Sequence, residues 1–196
     1  MMKKITSRAD YRLFVNSDRR SLGIKNQLNW FMLNEILVFQ IRLRRLEFAL
    51  NCSKNPIRIL IRRILYRRIS IRLGFSISPN TIGPGLSIAH RGTIVVNGGA
   101  RIGANSRLHV GVNIGTEAGK ADSAPIIGDN CYIGPGAKIF GPITIGSGSV
   151  IGANAVVNKS FPIGNQTIAG VPATVVSHKS SDGLLIKGFE VTEDSK

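Results

Sequence analysis

The segment IIGDNCYIGPGAKIFGPITIGSGSVIGANAVV, from Ile126 to Val157, repeats one pattern every six residues. An aliphatic side chain recurs at each sixth position, and glycine usually follows it. The step continues in both directions, with a two-residue insertion after Ile94 and an interval of thirteen residues between Ile114 and Ile127. It includes Ile82, Ile88, Ile94, Ile102, Leu108, Ile114, Ile127, Ile133, Ile139, Ile145, Ile151, Val157 and Ile163. This period fits neither a helix, with its 3.6-residue repeat, nor a strand alternating every two residues.

A period of six is typical of a triangular coil, in which each hexad is one short strand followed by a corner. The aliphatic side chain points inward and stacks on its equivalent in the next coil, and small residues fit the corner. We therefore expect a parallel β-helix from about Ile77 to about Val176. Residues 116–125, TEAGKADSAP, interrupt the period and are predicted to form a loop extruded from the coil.

The repeats resemble the hexapeptide-repeat acyltransferases. The segments IGPGLSIAHRGTIVVN, GVNIGT, IGPGAKIFGPITIGSGSVIGANAVV and AGVPATVV are similar to the serine acetyltransferase branch, and especially to relatives that O-acetylate capsule, exopolysaccharide or O-antigen sugars. The resemblance implies an all-β left-handed parallel β-helix, preceded by a small α-helical N-terminal domain. It also implies a homotrimer with sites shared between subunits.

Charge and helical pattern separate three parts of the chain. Residues 1–73 hold 17 Lys and Arg against four acids, whereas residues 74–196 hold nine against seven. We assign residues 1–73 to a basic helical domain, 74–176 to the β-helix and 177–196 to a loosely ordered polar tail. Asn29 to Leu50 is predicted to be helical, and a second helix is expected to start near Pro56.

The second helix places Ile57, Leu60, Ile61, Ile64, Leu65 and Ile69 on one stripe, with arginines mainly on other faces. These helices pack on each other and on neighbouring subunits, or their cationic face contacts an anionic membrane surface. Nucleic acid is not an expected partner, because no recognised nucleic-acid-binding fold is visible.

The compartment is predicted from cysteines and apolar runs. Cys52 and Cys131 match no metal or redox spacing. No secretory signal is expected, and no apolar run is long enough to cross a bilayer. A cytoplasmic location is expected as the default, and the alternative for the basic helices is the inner face of the membrane.

His90 lies two residues past the inward Ile88, so its side chain is expected to point away from the coil interior. The resemblance implies that a histidine in IAHRGTIVV is the general base, in a cleft between subunits. Imidazole suits that role, since its ordinary pKa lies near neutrality. Direct transfer from acetyl-CoA is expected without a covalent acyl-enzyme, and Cys131 falls on an inward position.

The group that orients His90 is left open. In the family an aspartate upstream holds the base, in a stretch similar to SISPNTIG, but here only Ser76 and Ser78 are near and residues 48–116 contain no acid. Either a backbone carbonyl or an acid of the neighbouring subunit takes this role.

Two departures from the family direct the prediction of the acceptor. The family's acid before the histidine is Ala89 here, and its carboxylate-binding Arg-His pair is replaced by Ser123 and Ala124. We therefore predict a sugar hydroxyl of a surface polysaccharide or its precursor as acceptor, with His109, Asn113 and Arg91 as substrate contacts. A serine O-acetyltransferase and a non-catalytic β-helical scaffold are the alternatives. The three histidines do not resemble the metal-binding pattern of β-helical carbonic anhydrases, so no metal is predicted.

The donor site is implied by the resemblance alone. Acetyl-CoA in the family lies along a groove between coils, contacted by backbone and small side chains. The positions similar to that wall are Gly115, Thr116, Pro135, Gly136, Ala137, Ala153, Ala155 and Lys159.

Overall fold

The computed structural model describes residues 3–24, 34–120 and 123–191 and opens with helices. They are α1, Arg8–Ser21, α2, Glu35–Cys52, and α3, Pro56–Leu73. The predicted helix from Asn29 is present from Glu35 onward, and its first residues, 29–33, lie outside the described residues. No helix in the described ranges combines the length and hydropathy that crossing a bilayer requires.

Local capping chemistry sets the ends of α3. The Asn55 side chain accepts a hydrogen bond from the Arg58 backbone N–H at 3.1 Å, and Pro56 follows at the first helical position. At the other end Gly74 adopts a left-handed conformation with φ 78°, which turns the chain directly into the first strand. The helix start predicted near Pro56 is confirmed.

The rest of the chain winds into short strands that pair with the coils before and after. The strands are β1 Phe75–Ile77, β2 Ser87–Ile88, β3 Ile94–Val96, β4 Arg101–Ile102, β5 Arg107–Leu108, β6 Asn113–Gly115, β7 Ile126–Ile127, β8 Tyr132–Ile133, β9 Lys138–Phe140, β10 Thr144–Ile145, β11 Val150–Ile151, β12 Val156–Val157, β13 Thr167–Gly170 and β14 Ala173–Ser177. All pairs are parallel except β13–β14.

The strands form three sheets, one on each side of the coil. The five-stranded sheet has the order β1-β3-β6-β9-β12, the three-stranded sheet β10-β7-β4, and the six-stranded sheet β14-β13-β11-β8-β5-β2. Twelve of the thirteen predicted inward aliphatic side chains are buried. The predicted left-handed parallel β-helix with a helical N-terminal part is confirmed.

The exception is Ile163, which is 83% exposed, so its predicted inward place is wrong. Phe161 occupies the interior instead and bridges to Ile145 in the coil above. The chain reaches Phe161 only four residues after the inward Val157, so the six-residue step breaks at this corner. A bulky aromatic ring thus fills the last inward position before β13.

The segment after β14 is held in place, contrary to the expectation of a loosely ordered tail. Ser181 is buried, and its N–H donates to the Gly148 carbonyl at 2.9 Å. Further on, Gly188 N–H donates to Ser21 Oγ of α1, and Phe189 exchanges two hydrogen bonds with the Asn105 side chain. These backbone contacts extend along the coil and back to α1, so the described part of the tail is folded.

A buried arginine joins the helices to the first coil. Arg44 of α2 is fully buried, and its guanidinium donates to Asp18 of α1 at 2.9 Å and to Glu47 at 3.0 Å. The same group donates to the carbonyls of Ile82 and Gly83 in the coil, at 2.9 and 2.7 Å. One side chain therefore links two helices and the coil.

We predict that Arg44→Met lowers the free energy of unfolding by about 3–5 kcal/mol, because it leaves two buried carboxylates without their cation. Urea denaturation of both proteins measures the change. The control is Arg45→Met at the exposed neighbouring position, which we expect to change stability by less than about 0.5 kcal/mol. Equal losses in the two variants would contradict a special role for Arg44.

Candidate active site

His90 lies at the corner where the six-stranded sheet passes into the five-stranded sheet. It follows β2 by two residues and is exposed, as predicted. Because Ile88, Leu108, Ile133 and Ile151 pair in register, the residues two places later form a vertical column at this corner. The corner column consists of His90, Val110, Pro135 and Ala153.

The backbone at the corner is shaped by Gly92. This residue has φ 129°, a conformation that L side chains rarely adopt. A Cβ atom added there would overlap Cγ2 of Val110, the next residue of the corner column. The close approach of Gly92 to the coil below sets the path of the chain directly after His90.

His109 lies one coil away, directly after β5, the strand that pairs with β2. Its Nε2 accepts a hydrogen bond from Arg107 Nε at 3.3 Å, and its ring lies 4.9 Å from the Tyr132 ring, centroid to centroid. Burial lowers the pKa of His109, and the charges of Arg107 and His90 lower it further. The two histidines are therefore close enough to interact electrostatically, and the lowered pKa favours the neutral form of His109.

Arg91 is connected to the helices. Its guanidinium lies 3.1 Å from Oε2 of Glu35, the first residue of α2, and Oε1 of the same carboxylate lies 2.6 Å from Arg72 of α3. A carboxylate shared by two exposed arginines contributes little to stability. Its effect is geometric, because it places the ends of α2 and α3 beside the residue that follows His90.

The remaining predicted acceptor contacts lie elsewhere. Asn113 is exposed on the five-stranded sheet, across the corner from His109. Ser76 lies in β1 and Ser78 directly after it, and in the described ranges neither serine is hydrogen bonded to the His90 ring. An orienting partner for His90 thus stays a prediction.

The extruded loop is closed by Ser123, which is buried. Its hydroxyl accepts from the Glu117 N–H at 2.9 Å and donates to the Lys120 carbonyl at 2.7 Å. Lys120 itself pairs with Glu117 at 3.0 Å. Residues 121–122 of the predicted loop lie outside the described residues. Ser123, at one of the two positions where the family carries its Arg-His pair, therefore holds the loop together.

The predicted donor residues divide into three groups. Pro135, Gly136 and Ala153 lie in or next to the corner column, below His90. Gly115 ends β6, at the opposite side of the five-stranded sheet, and Thr116 and Lys159 follow β6 and β12 there. Lys159 Nζ is 5.7 Å from the Phe161 ring centroid. The third group is Ala137 and Ala155.

Ala137 and Ala155 have no exposed surface. The prediction that their side chains contact the donor is wrong, because both side chains pack in the interior of the coil. Packing in the interior of the coil, and not ligand binding, requires a small residue at these hexad positions.

Cys131 is buried as predicted. Burial raises the pKa of its thiol to about 12, so the thiolate nucleophile is strongly disfavoured.

Three residues at this site were not predicted from the sequence: Arg107, Tyr132 and Glu35. Arg107 and Tyr132 each precede an inward aliphatic residue and pair with each other in register, so the six-residue period contained a signal that they face outward together. Glu35 belongs to a helix, and nothing in the repeat indicates its contact with Arg91.

Comparison with known proteins identifies the relatives. Residues 124–159 match the family model described as bacterial transferase hexapeptide (six repeats), which confirms the hexapeptide-repeat part of the resemblance. A serine acetyltransferase of Staphylococcus xylosus is 40% identical over 105 residues, which are 53% of this chain and 48% of that protein. The chain thus spans about half the length of the curated relatives it matches.

Solved structures agree over a longer stretch. The serine acetyltransferase of Brucella abortus strain S19 in complex with coenzyme A has a TM-score of 0.71 at 26% identity, covering 88% of this chain and 70% of that one. Soybean serine acetyltransferase complexed with serine has a TM-score of 0.69 at 28% identity, covering 86% and 69%.

These comparisons contradict the predicted sugar acceptor. The matched relatives are named as serine acetyltransferases, and none of those described is a polysaccharide enzyme. The prediction was wrong because it assumed that, without the cationic pair of the loop, no other cation could bind a carboxylate. The fold places Arg107 beside His109, with its Nε 3.3 Å from the ring nitrogen, and the prediction did not consider this cation.

We predict that Gly92→Ala lowers the free energy of unfolding by about 1–3 kcal/mol, because alanine must adopt the strained φ and overlap Val110. Gly98→Ala is the matched control, since a Cβ there meets its nearest atom, Ser78 Oγ, at an ordinary 3.5 Å. Urea denaturation compares the two variants, and indistinguishable midpoints would refute the constraint at the corner.

Proposed function

We propose that the chain is an acetyl-CoA-dependent serine O-acetyltransferase in which His90 is the general base. The observation that carries the proposal is the exposed His90 on the corner column of a fold shared with serine acetyltransferases. The neighbouring His109, whose pKa is lowered by burial, and two nearby arginines supply polar contacts for a small, charged acceptor.

The reaction needs one proton transfer at each end. His90 removes the proton of the serine hydroxyl as its oxygen attacks the thioester carbonyl of acetyl-CoA. The tetrahedral adduct then expels the coenzyme A thiolate, which takes the proton back from His90. The products are O-acetylserine and coenzyme A, and the enzyme returns to its starting protonation state.

The serine carboxylate requires a cation in place of the family's loop pair. Arg107 is half-buried, fixed by His109 and by Ser87 Oγ at 3.3 Å, and is therefore preorganised. Arg91 already shares the Glu35 carboxylate, which reduces its positive field toward a second anion. We assign the carboxylate to Arg107 and a secondary contact to Arg91.

The donor follows the corner column. Neighbouring coils are about 4.8 Å apart, so Pro135 lies about 10 Å and Ala153 about 14 Å from the level of His90. With its thioester beside His90, acetyl-CoA extends along Pro135, Gly136 and Ala153. Contacts from Gly115, Thr116 and Lys159 come from the opposite side of the sheet.

A second copy of the chain completes the site. His90 is exposed on a single coil, so a cleft that excludes water requires another wall. Closed three-fold symmetry supplies the same wall to each of three sites. We therefore propose a homotrimer, as the resemblance implies.

We predict that His90→Ala lowers kcat with L-serine by 100-fold or more, the typical contribution of a general base. Release of the coenzyme A thiol from acetyl-CoA measures the rate. His178→Ala, at an exposed position in the tail, is the control and is expected to keep the wild-type rate.

Light scattering on both variants is expected to give the mass of a trimer, which separates chemistry from assembly. A His90→Ala protein that stays trimeric and retains full turnover would disprove the role of His90. A monomeric wild-type protein that turns over serine would disprove the shared cleft alone.

A further inference from the structure

An apolar stripe runs along the solvent side of α3. Its five aliphatic side chains are 46–70% exposed, and at 100° per residue they fall within one third of the helix circumference; they are Ile57, Leu60, Ile61, Ile64 and Ile71. On the opposite side of α3, Ser70 and Leu73 are buried, and Tyr66 and Ile69 are partly buried against the core. The helix therefore presents to solvent the face that a helix of a globular protein normally buries.

Positive charge surrounds this stripe. The helix contains six arginines and no acid, namely Arg58, Arg62, Arg63, Arg67, Arg68 and Arg72. On the helical wheel Arg67 borders the stripe on one side, Arg72 on the other, and Arg68 lies within it. Long arginine side chains beside apolar ones are typical of helices that lie in the interface of an anionic bilayer, where the charged heads stay at the headgroups.

A cationic cavity adjoins the helix. Its volume is about 620 Å³, and it is lined by Arg8, Tyr11, Arg45, Phe48, Arg58 and Arg62. Among the described residues, no carboxylate lies within 4 Å of any of these four arginines. The Arg45 Nε donates to the Tyr11 hydroxyl at 3.3 Å, and Arg58 lies 6.0 Å from the Phe48 ring centroid. The cavity thus offers several guanidinium donors to one anionic group.

We infer that α3 and this cavity form a docking surface for a bilayer containing anionic phospholipid. The apolar stripe enters the interface, and the phosphate of a lipid headgroup occupies the cavity, where arginines bind it as a charged acceptor. This inference goes beyond the proposed acetyl transfer and does not depend on it.

Charge favours a bilayer over a second copy of the chain. Two α3 helices packed face to face would bring two sets of six arginines together without an acid from either helix. Like charges in such contact cost energy, whereas an anionic surface neutralises them and covers the apolar stripe.

Sedimentation with vesicles tests this inference on the full chain. We expect the protein to bind vesicles of phosphatidylcholine mixed with phosphatidylglycerol, and to bind vesicles of phosphatidylcholine alone much more weakly. Binding to the mixed vesicles should fall as salt is added, since the surface potential is screened. Absence of binding to the mixed vesicles at low salt would overturn the inference.

Variants separate the two parts of the surface. Arg58→Gln/Arg62→Gln is expected to lower the partition coefficient roughly thirtyfold, at about 1 kcal/mol per arginine near an anionic surface. Ile57→Ser/Ile61→Ser/Ile64→Ser, at exposed positions, is expected to lower it roughly tenfold or more. The matched control is Lys179→Gln/Lys187→Gln, which removes two exposed charges from the tail and should stay within about twofold of wild type.

Two results would assign the surface differently. A control variant that loses as much binding as the arginine pair would show that net charge alone is responsible, without a built site. A stripe variant that lowers the mass measured by light scattering and leaves vesicle binding unchanged would show that α3 contacts a second copy of the chain.

Discussion

Register between neighbouring coils is the constraint on which the rest of the structure depends. Each inward aliphatic side chain stacks on its equivalent one coil away, and parallel pairing carries that register to the corners. A one-residue slip would turn the buried row toward solvent, so packing enforces the alignment. The same alignment places His90 above Val110, Pro135 and Ala153, and the candidate active site is thus a consequence of core packing.

The helices are positioned on this scaffold by one buried cation. Burial raises the pKa of Asp18 and of Glu47, and the charge of Arg44 opposes that effect in both carboxyls. Asp18 also accepts hydrogen bonds from the N–H groups of Gly85 and Leu86, at 2.9 Å each, so the network reaches the first coil from two directions. With α2 anchored in this way, its first residue, Glu35, lies beside the corner of His90.

The repeat made the coil, its inward residues and the exposure of His90 predictable, because each follows from a period of six. Contacts between distant segments were not predictable: Glu35 meets Arg91 only through folding of the helices, and Gly188 meets Ser21 across most of the chain. The repeat also led to a wrong prediction at positions where a small residue can serve either packing or ligand binding. Ala137 and Ala155 match the donor wall of the family, but they are small because the interior of the coil is crowded.

Identification of the acetyl acceptor tests the proposed function most directly. The purified protein is incubated with acetyl-CoA, L-serine and a mixture of bacterial polysaccharides and nucleotide-sugars, and mass spectrometry identifies which compound gains an acetyl group. We expect O-acetylserine as the product, with the glycans unmodified. An acetylated glycan and unmodified serine would contradict the proposed function, and would show that the fold of the relatives has been retained here without their acceptor.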